Sequence, residues 1–101
     1  MKFRCCTKST AQEKDVRKVY EFLRVIADKN RLKILCILKG RQLCVCDIFP
    51  EVGISQKLAS HHLGQMKKIG LLVENREGNF IRYSVSKEVL EDYKLLFNKL
   101  I

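Results

Sequence analysis

Apolar residues at Val16, Val19, Tyr20, Leu23 and Ile26 recur at helical spacing and predict a first amphipathic helix reaching to about Ala27. Thr10-Ala11-Gln12-Glu13 fits a capping box at its start, because the Thr side chain and the Glu three residues on can satisfy each other's orphan amides. Asp28 can cap a second helix over Lys29 to Lys39, with Gly40 as its stop signal. That helix is apolar on most sides and is expected at the buried centre. A segment rich in cysteine follows and ends at Pro50, read as a short helix or turn. Ser55 then caps a helix over Gln56 to Lys68, which Gly70 ends. Leu71 to Arg76 and Phe80 to Val85 read as two short strands around Glu77-Gly78-Asn79. Ser86 or Lys87 opens a last helix with Leu90, Tyr93, Phe97 and Leu100 on one stripe.

The order helix, helix, short helix or turn, helix, hairpin, helix predicts a mainly α fold with a β-hairpin wing (α+β), the winged helix-turn-helix. In it the second helix of the motif lies in the major groove. The first and last helices carry apolar stripes that nothing else in the chain covers fully, and a chain of 101 residues buries a modest core. Both facts predict a homodimer through the N- and C-terminal helices. Residues 1 to 10 are expected to be a flexible N-terminal segment, and 11 to 101 one DNA-binding and dimerisation domain.

On a helical wheel the candidate recognition helix divides cleanly. Leu58, Ala59, His62, Leu63, Met66 and Ile69 fall on the inner side. Gln56, Lys57, Ser60, His61, Gly64, Lys67 and Lys68 fall on the other, a surface of hydrogen-bonding and cationic groups suited to base edges and phosphates. His62 is expected to be packed and hydrogen-bonded, His61 to meet DNA. Ser55 at the helix start and Arg76, Asn79 and Arg82 on the hairpin complete the candidate DNA surface. Net charge supports it: 20 Lys+Arg against 11 Asp+Glu give +9, which favours a polyanion partner. Gly64 in mid-helix costs about 1 kcal/mol against alanine, and close approach to DNA is one reason to tolerate it.

The five cysteines are an odd count in a chain whose N-terminus lacks the apolar core of an export signal. No apolar run approaches the ~20 residues of a membrane span. A cytoplasmic protein with reduced thiols follows as the expectation. Cys36 lies in Leu32-Lys33-Ile34-Leu35-Cys36-Ile37-Leu38 and is expected to be a buried apolar residue. Cys44 and Cys46 are the chemical candidates, since thiolates select soft ions and no carboxylate cluster suggests a hard-ion site. Residues two apart on a regular helix point ~200° from one another, so this pair is expected at a frayed helix start. Pro50 biases Phe49 away from helical angles and leaves a segment that metal could reshape.

Four stretches together resemble the ArsR/SmtB family of metal-responsive winged-helix repressors: Ile26 to Leu35, Leu43-Cys44-Val45-Cys46-Asp47-Ile48, Ser55 to Leu72 with Ser60-His61-His62-Leu63, and Arg76-Glu77-Gly78 through Tyr83. The resemblance implies a homodimer that binds an inverted-repeat operator in double-stranded DNA, blocks transcription and lets go when an inducer occupies it. It also implies an inducer site. Arsenic-sensing members carry a third cysteine where Phe49 stands, so an As(III) site within this segment is incomplete. Cadmium- and lead-sensing members complete the site from an N-terminal extension, which assigns Cys5 or Cys6, beside Cys44 and Cys46, as ligands of Cd(II) or Pb(II). Zinc-sensing members use histidine and carboxylates on the last helix; Glu88, Glu91 and Asp92 have no histidine there and are expected to be solvated acids.

Two alternatives stand beside the metal-responsive repressor. One is a repressor of the same fold answering to thiol oxidation or persulfidation; the other is a metal-buffering thiol protein that does not bind DNA. Neither a nucleophile–base constellation nor a phosphate-cradling Gly loop is present in the sequence, so no catalysis and no organic cofactor are expected.

Overall fold

A computed structural model describes residues 10–101. Its elements are α1 (Thr10–Ile26), α2 (Lys29–Ile37), β1 (Leu43–Cys44), α3 (Val45–Val52), α4 (Gln56–Lys68), β2 (Leu72–Glu77), β3 (Phe80–Val85) and α5 (Lys87–Leu100). Local chemistry sets most of these boundaries. The Asp28 carboxylate accepts the amides of Asn30 at 2.9 Å and Arg31 at 3.1 Å, and so starts α2. Ser55 Oγ accepts the Leu58 amide at 3.1 Å and Ser86 Oγ accepts that of Val89 at 3.3 Å, which starts α4 and α5. The wing turns at Gly78, whose φ of +62° only glycine adopts cheaply.

The three strands form one antiparallel sheet in the order β1-β3-β2. Strand β1 was not expected from the sequence. Its two residues pair with the wing, Leu43 opposite Tyr83 and Cys44 opposite Arg82. Helix α3 also departs from expectation, because it runs through Pro50 to Val52. Proline withholds the amide that would bond the Cys46 carbonyl. The helix persists because Ile48 and Val52 bury on its inner side, and Gly53 closes it with its amide on the Phe49 carbonyl at 3.0 Å.

Ile34, Leu38, Ile48, Leu63, Met66 and Leu71 are fully buried and draw α2, α3, α4 and the base of the wing into one core. Three sequence expectations fail here. Helix α2 is not buried all round: Ile34 and Leu38 face inward, while Leu32, 48% exposed, and Cys36 share the opposite side. One stripe of so short a helix suffices to reach the core, so Cys36 is an exposed free thiol rather than a buried one. Leu58 is also exposed, lying about 90° from the centre of the stripe formed by Ala59, His62, Leu63 and Met66.

Helices α1 and α5 pack side by side. The Phe22 and Tyr93 rings stack with centroids 4.5 Å apart, and Lys99 pairs with Asp15 at 3.1 Å. Beyond that contact, Val16, Tyr20 and Leu23 on α1 and Leu95 on α5 remain exposed. The Leu63→Ala substitution is expected to destabilise the fold by about 2–5 kcal/mol, measured as a lower urea midpoint at unchanged slope.

Candidate nucleic-acid interface and thiol site

Helix α4 presents the face that the wheel assigns outward. Gln56, Lys57, Ser60, His61, Gly64, Lys67 and Lys68 are all exposed, as is Ser55 at the cap. A Cβ built on Gly64 would meet nothing within 4 Å. Packing within the chain therefore gives no reason for glycine there. Two cations of the expected surface are engaged inside the fold. Lys67 Nζ pairs with Glu74 of β2 at 3.0 Å. Arg82 is half-buried on β3, with Nε 3.5 Å from the Glu77 carboxylate, a charge contact too long for a good hydrogen bond. Arg76 and Asn79 are exposed on the wing.

His62 is buried, as the wheel requires, and it holds α4 against the junction of the first two helices. Arg31 Nε donates to His62 Nδ1 at 2.9 Å, and Arg31 Nη1 donates to the Val25 carbonyl at 3.0 Å. With Nδ1 accepting, the imidazole proton sits on Nε2, which faces the Asp28 carboxylate at 3.9 Å. Burial disfavours the imidazolium and holds the His62 pKa below its ordinary 6.5, although Asp28 opposes that shift. The Asp28 carboxyl is held below its ordinary value chiefly by the Arg31 amide.

A second polar bridge joins α4 to the wing. Glu74 accepts from Lys67 and, at 3.3 Å, from the Tyr83 hydroxyl. Lys67 lowers the Glu74 pKa; burial, then Glu74, raises that of Tyr83. Tyr83 lies opposite Glu74 on one side and opposite Leu43 of β1 on the other. The recognition helix, both wing strands and β1 are thereby connected. At the same C-terminal end of α4, the Tyr93 hydroxyl of α5 donates to the Ile69 carbonyl at 3.2 Å.

Cys44 ends β1 and is the extended cap residue of α3, with φ −82° and ψ 165°. Cys46 lies in the first turn. This position lets two sulfurs two residues apart meet, which a helix interior would forbid. They are joined as a disulfide, with Cα atoms 5.3 Å apart. Cys44 is buried and Cys46 exposed. Asp47 Oδ2 lies 3.1 Å from Cys44 Sγ. Ligand atoms of Cys44, Cys46 and Asp47 lie within 4.8 Å of one another, the grouping among the described residues that could hold a metal ion. The expected ligands Cys5 and Cys6 lie outside the described residues. Asp47 was passed over in the sequence, although its place directly after the second thiol was the available signal. Glu88, Glu91 and Asp92 are exposed on α5, as expected of solvated acids.

Residues 28–73 match the family model described as bacterial regulatory protein, arsR family. The transcriptional repressor SdpR of Bacillus subtilis is 39% identical over 69 residues, 68% of this chain and 77% of that protein. The chain belongs to the arsR family. Another member, the cadmium resistance transcriptional regulatory protein CadC of Listeria innocua, is 34% identical over 79 residues, 77% of this chain and 66% of its own length. This arsR-family chain is thus matched over slightly less than two thirds of that relative. Among solved structures, the homodimeric winged helix-turn-helix DNA-binding domain of Mb0332 from Mycobacterium bovis, a possible ArsR-family regulator, superposes with a TM-score of 0.74. It is 25% identical, and the match covers 91% of this chain and 86% of that one. The winged helix expected from the element order is therefore the fold of this family of transcriptional regulators. Among the described residues no helix is long and apolar enough to cross a membrane.

His62 gives the arsR-family fold a defined acid response. Because its folded pKa is depressed, the unfolded chain binds more protons below 6.5. Its contribution to stability is complete above that value and declines as pH falls through it. The melting temperature is expected to drop between about pH 8 and about pH 5.5, and His62→Gln is expected to flatten that drop. An equal slope in both proteins would contradict this role.

Proposed function

We propose that the protein is a homodimeric transcriptional repressor that holds an inverted-repeat operator and releases it when a thiophilic ion binds at Cys44 and Cys46. The observation that carries this reading is the shared backbone ladder: Cys44, one of the two thiols, is hydrogen-bonded through β1 to Arg82 and its neighbours on the wing. A change at sulfur therefore bears directly on a DNA-facing element. The exposed face of α4, with Gln56, Lys57, Ser60, His61, Gly64 and Lys68, supplies base-edge and phosphate contacts. Arg76 and Asn79 extend them along the wing, and Lys67 and Arg82 serve first to hold the wing in place.

The exposed stripe of Val16, Tyr20 and Leu23 on α1, with Leu95 on α5, is the surface for the second copy. The homodimeric state named for the Mb0332 domain supports it. Cadmium regulation, as named for CadC, supports a Cd(II)-class inducer, with Pb(II) and As(III) as the other thiophilic candidates and Cys5 or Cys6 as further ligands. Ion binding requires both sulfurs as thiolates.

The Cys44–Cys46 disulfide favours a second reading, in which oxidation itself is the signal. A peroxide would take two electrons and two protons from the thiols and leave as two waters. Fluorescence anisotropy on an operator selected from a random duplex pool separates the readings. Reduced wild type is expected to bind DNA and to lose about 5–150-fold in affinity with Cd(II). The Cys44→Ser/Cys46→Ser variant should bind equally well and fail to respond. Release by peroxide alone supports oxidation, and failure of the wild type to bind any selected duplex rejects the repressor.

A further inference from the structure

The last turn of α1 stands beside α4, and the seam between them is a polar cleft of about 500 Å³. His61, Gln65 and Lys68 line it from α4, four and three residues apart on one stripe of that helix. Arg24 of α1 and Arg31 of α2 line it as well. These cations are not neutralised by acids. Among the described residues neither Arg24 nor Lys68 pairs with a carboxylate. Arg31 is half-buried and held by two neutral acceptors, the His62 ring and the Val25 carbonyl. The cleft is accordingly positive: Arg31 and His61 are both among the charges that oppose a proton on His62, after burial itself. Glu21 is the one acid among the described residues that line it. It sits one turn before Arg24, and its charge also reaches Tyr93, whose pKa burial and then Glu21 raise.

We infer that this cleft binds a backbone phosphate of DNA, gripped between Arg24 and Lys68, so that α1 contributes to the DNA footprint. The inference rests on the reading of α4 as the helix that enters the major groove. A helix with its side chains is about 10–12 Å across, and the major groove is about 12 Å wide. Helix α4 therefore fills the groove, and whatever flanks it meets a groove wall. Those walls are phosphate. The guanidinium of Arg24 matches two phosphate oxygens at once, while Lys68 supplies a point charge and the Gln65 amide a further donor. Such a contact positions the protein and carries no sequence information. Glu21 limits the grip, because its carboxylate repels phosphate. The cleft also gives α1 two roles at adjacent residues: Leu23 is exposed on the stripe offered to the second copy, and Arg24 is offered to DNA. A movement of α1 at the dimer surface would thus displace a DNA contact.

The test is fluorescence anisotropy of the full reduced chain on the selected operator and on an unrelated duplex, each across a range of salt. Arg24→Gln is expected to weaken binding severalfold on both duplexes alike. Arg24→Gln/Lys68→Gln should lower the slope of log affinity against log salt by about 0.9, the share of one phosphate. Glu21→Gln should strengthen binding. Because Arg24 adjoins the stripe offered to the second copy, Arg24→Lys supplies a separate reading: with a cation kept in place it should retain the wild-type slope. Lys39→Gln removes the same charge from a groove formed by α2, β3 and α5 and should leave the slope unchanged. Wild-type affinity in Arg24→Gln, or an equal loss of slope in Lys39→Gln, overturns the phosphate cleft. Failure of the wild type to bind any duplex overturns instead the reading of α4 on which it rests.

Discussion

The pairing of Leu43 and Cys44 with Tyr83 and Arg82 is the smallest element of this structure and the one on which its functional logic depends. Without it, α3 would be a helix with two thiols at its head, and the wing a two-stranded hairpin on the far side of the recognition helix. With it, the backbone of Cys44 is part of the edge strand of the wing. The consequence extends past the sheet. Tyr83 reaches Glu74, and Glu74 holds Lys67 on α4. Strand β1 is therefore linked through Tyr83 to the bridge that joins α4 to the wing.

A second junction seats the recognition helix from the opposite side. Arg31 spans from the Val25 carbonyl to the buried His62 ring, so the end of α1, the start of α2 and the middle of α4 meet in one hydrogen-bonded group. The Tyr93 hydroxyl holds the end of α4 from α5. The helices with exposed apolar stripes are thus mechanically continuous with α4, the helix proposed to face DNA. Conformational coupling needs such contacts between sites, together with two states that bind a ligand differently.

Much of this was legible in the sequence because capping chemistry is local. Asp28, Ser55 and Ser86 occupy the cap positions their side chains suggested, and periodicity assigned His62 inward and His61 outward. Expectations failed where tertiary packing overrode a local rule. Pro50 lies inside a helix because Ile48 and Val52 gain more from burial than one missing hydrogen bond costs. Cys36 is exposed because a nine-residue helix reaches the core with a single stripe. Strand β1 was unreadable for a different reason: a two-residue strand has no periodicity, and its partner lies about forty positions away. The place of Asp47 beside Cys44 Sγ follows from that strand, since Cys44 takes extended angles there.

On the proposed function, an event at the Cys44 and Cys46 sulfurs is carried by the β1–β3 ladder into the wing and α4. Amide hydrogen exchange of the reduced protein, with and without Cd(II), tests it most directly. Altered protection is expected at residues 43–47 and, in the same experiment, along β3 and around Glu74 and Lys67. Changes confined to residues 43–47, with the wing and α4 untouched, would contradict it.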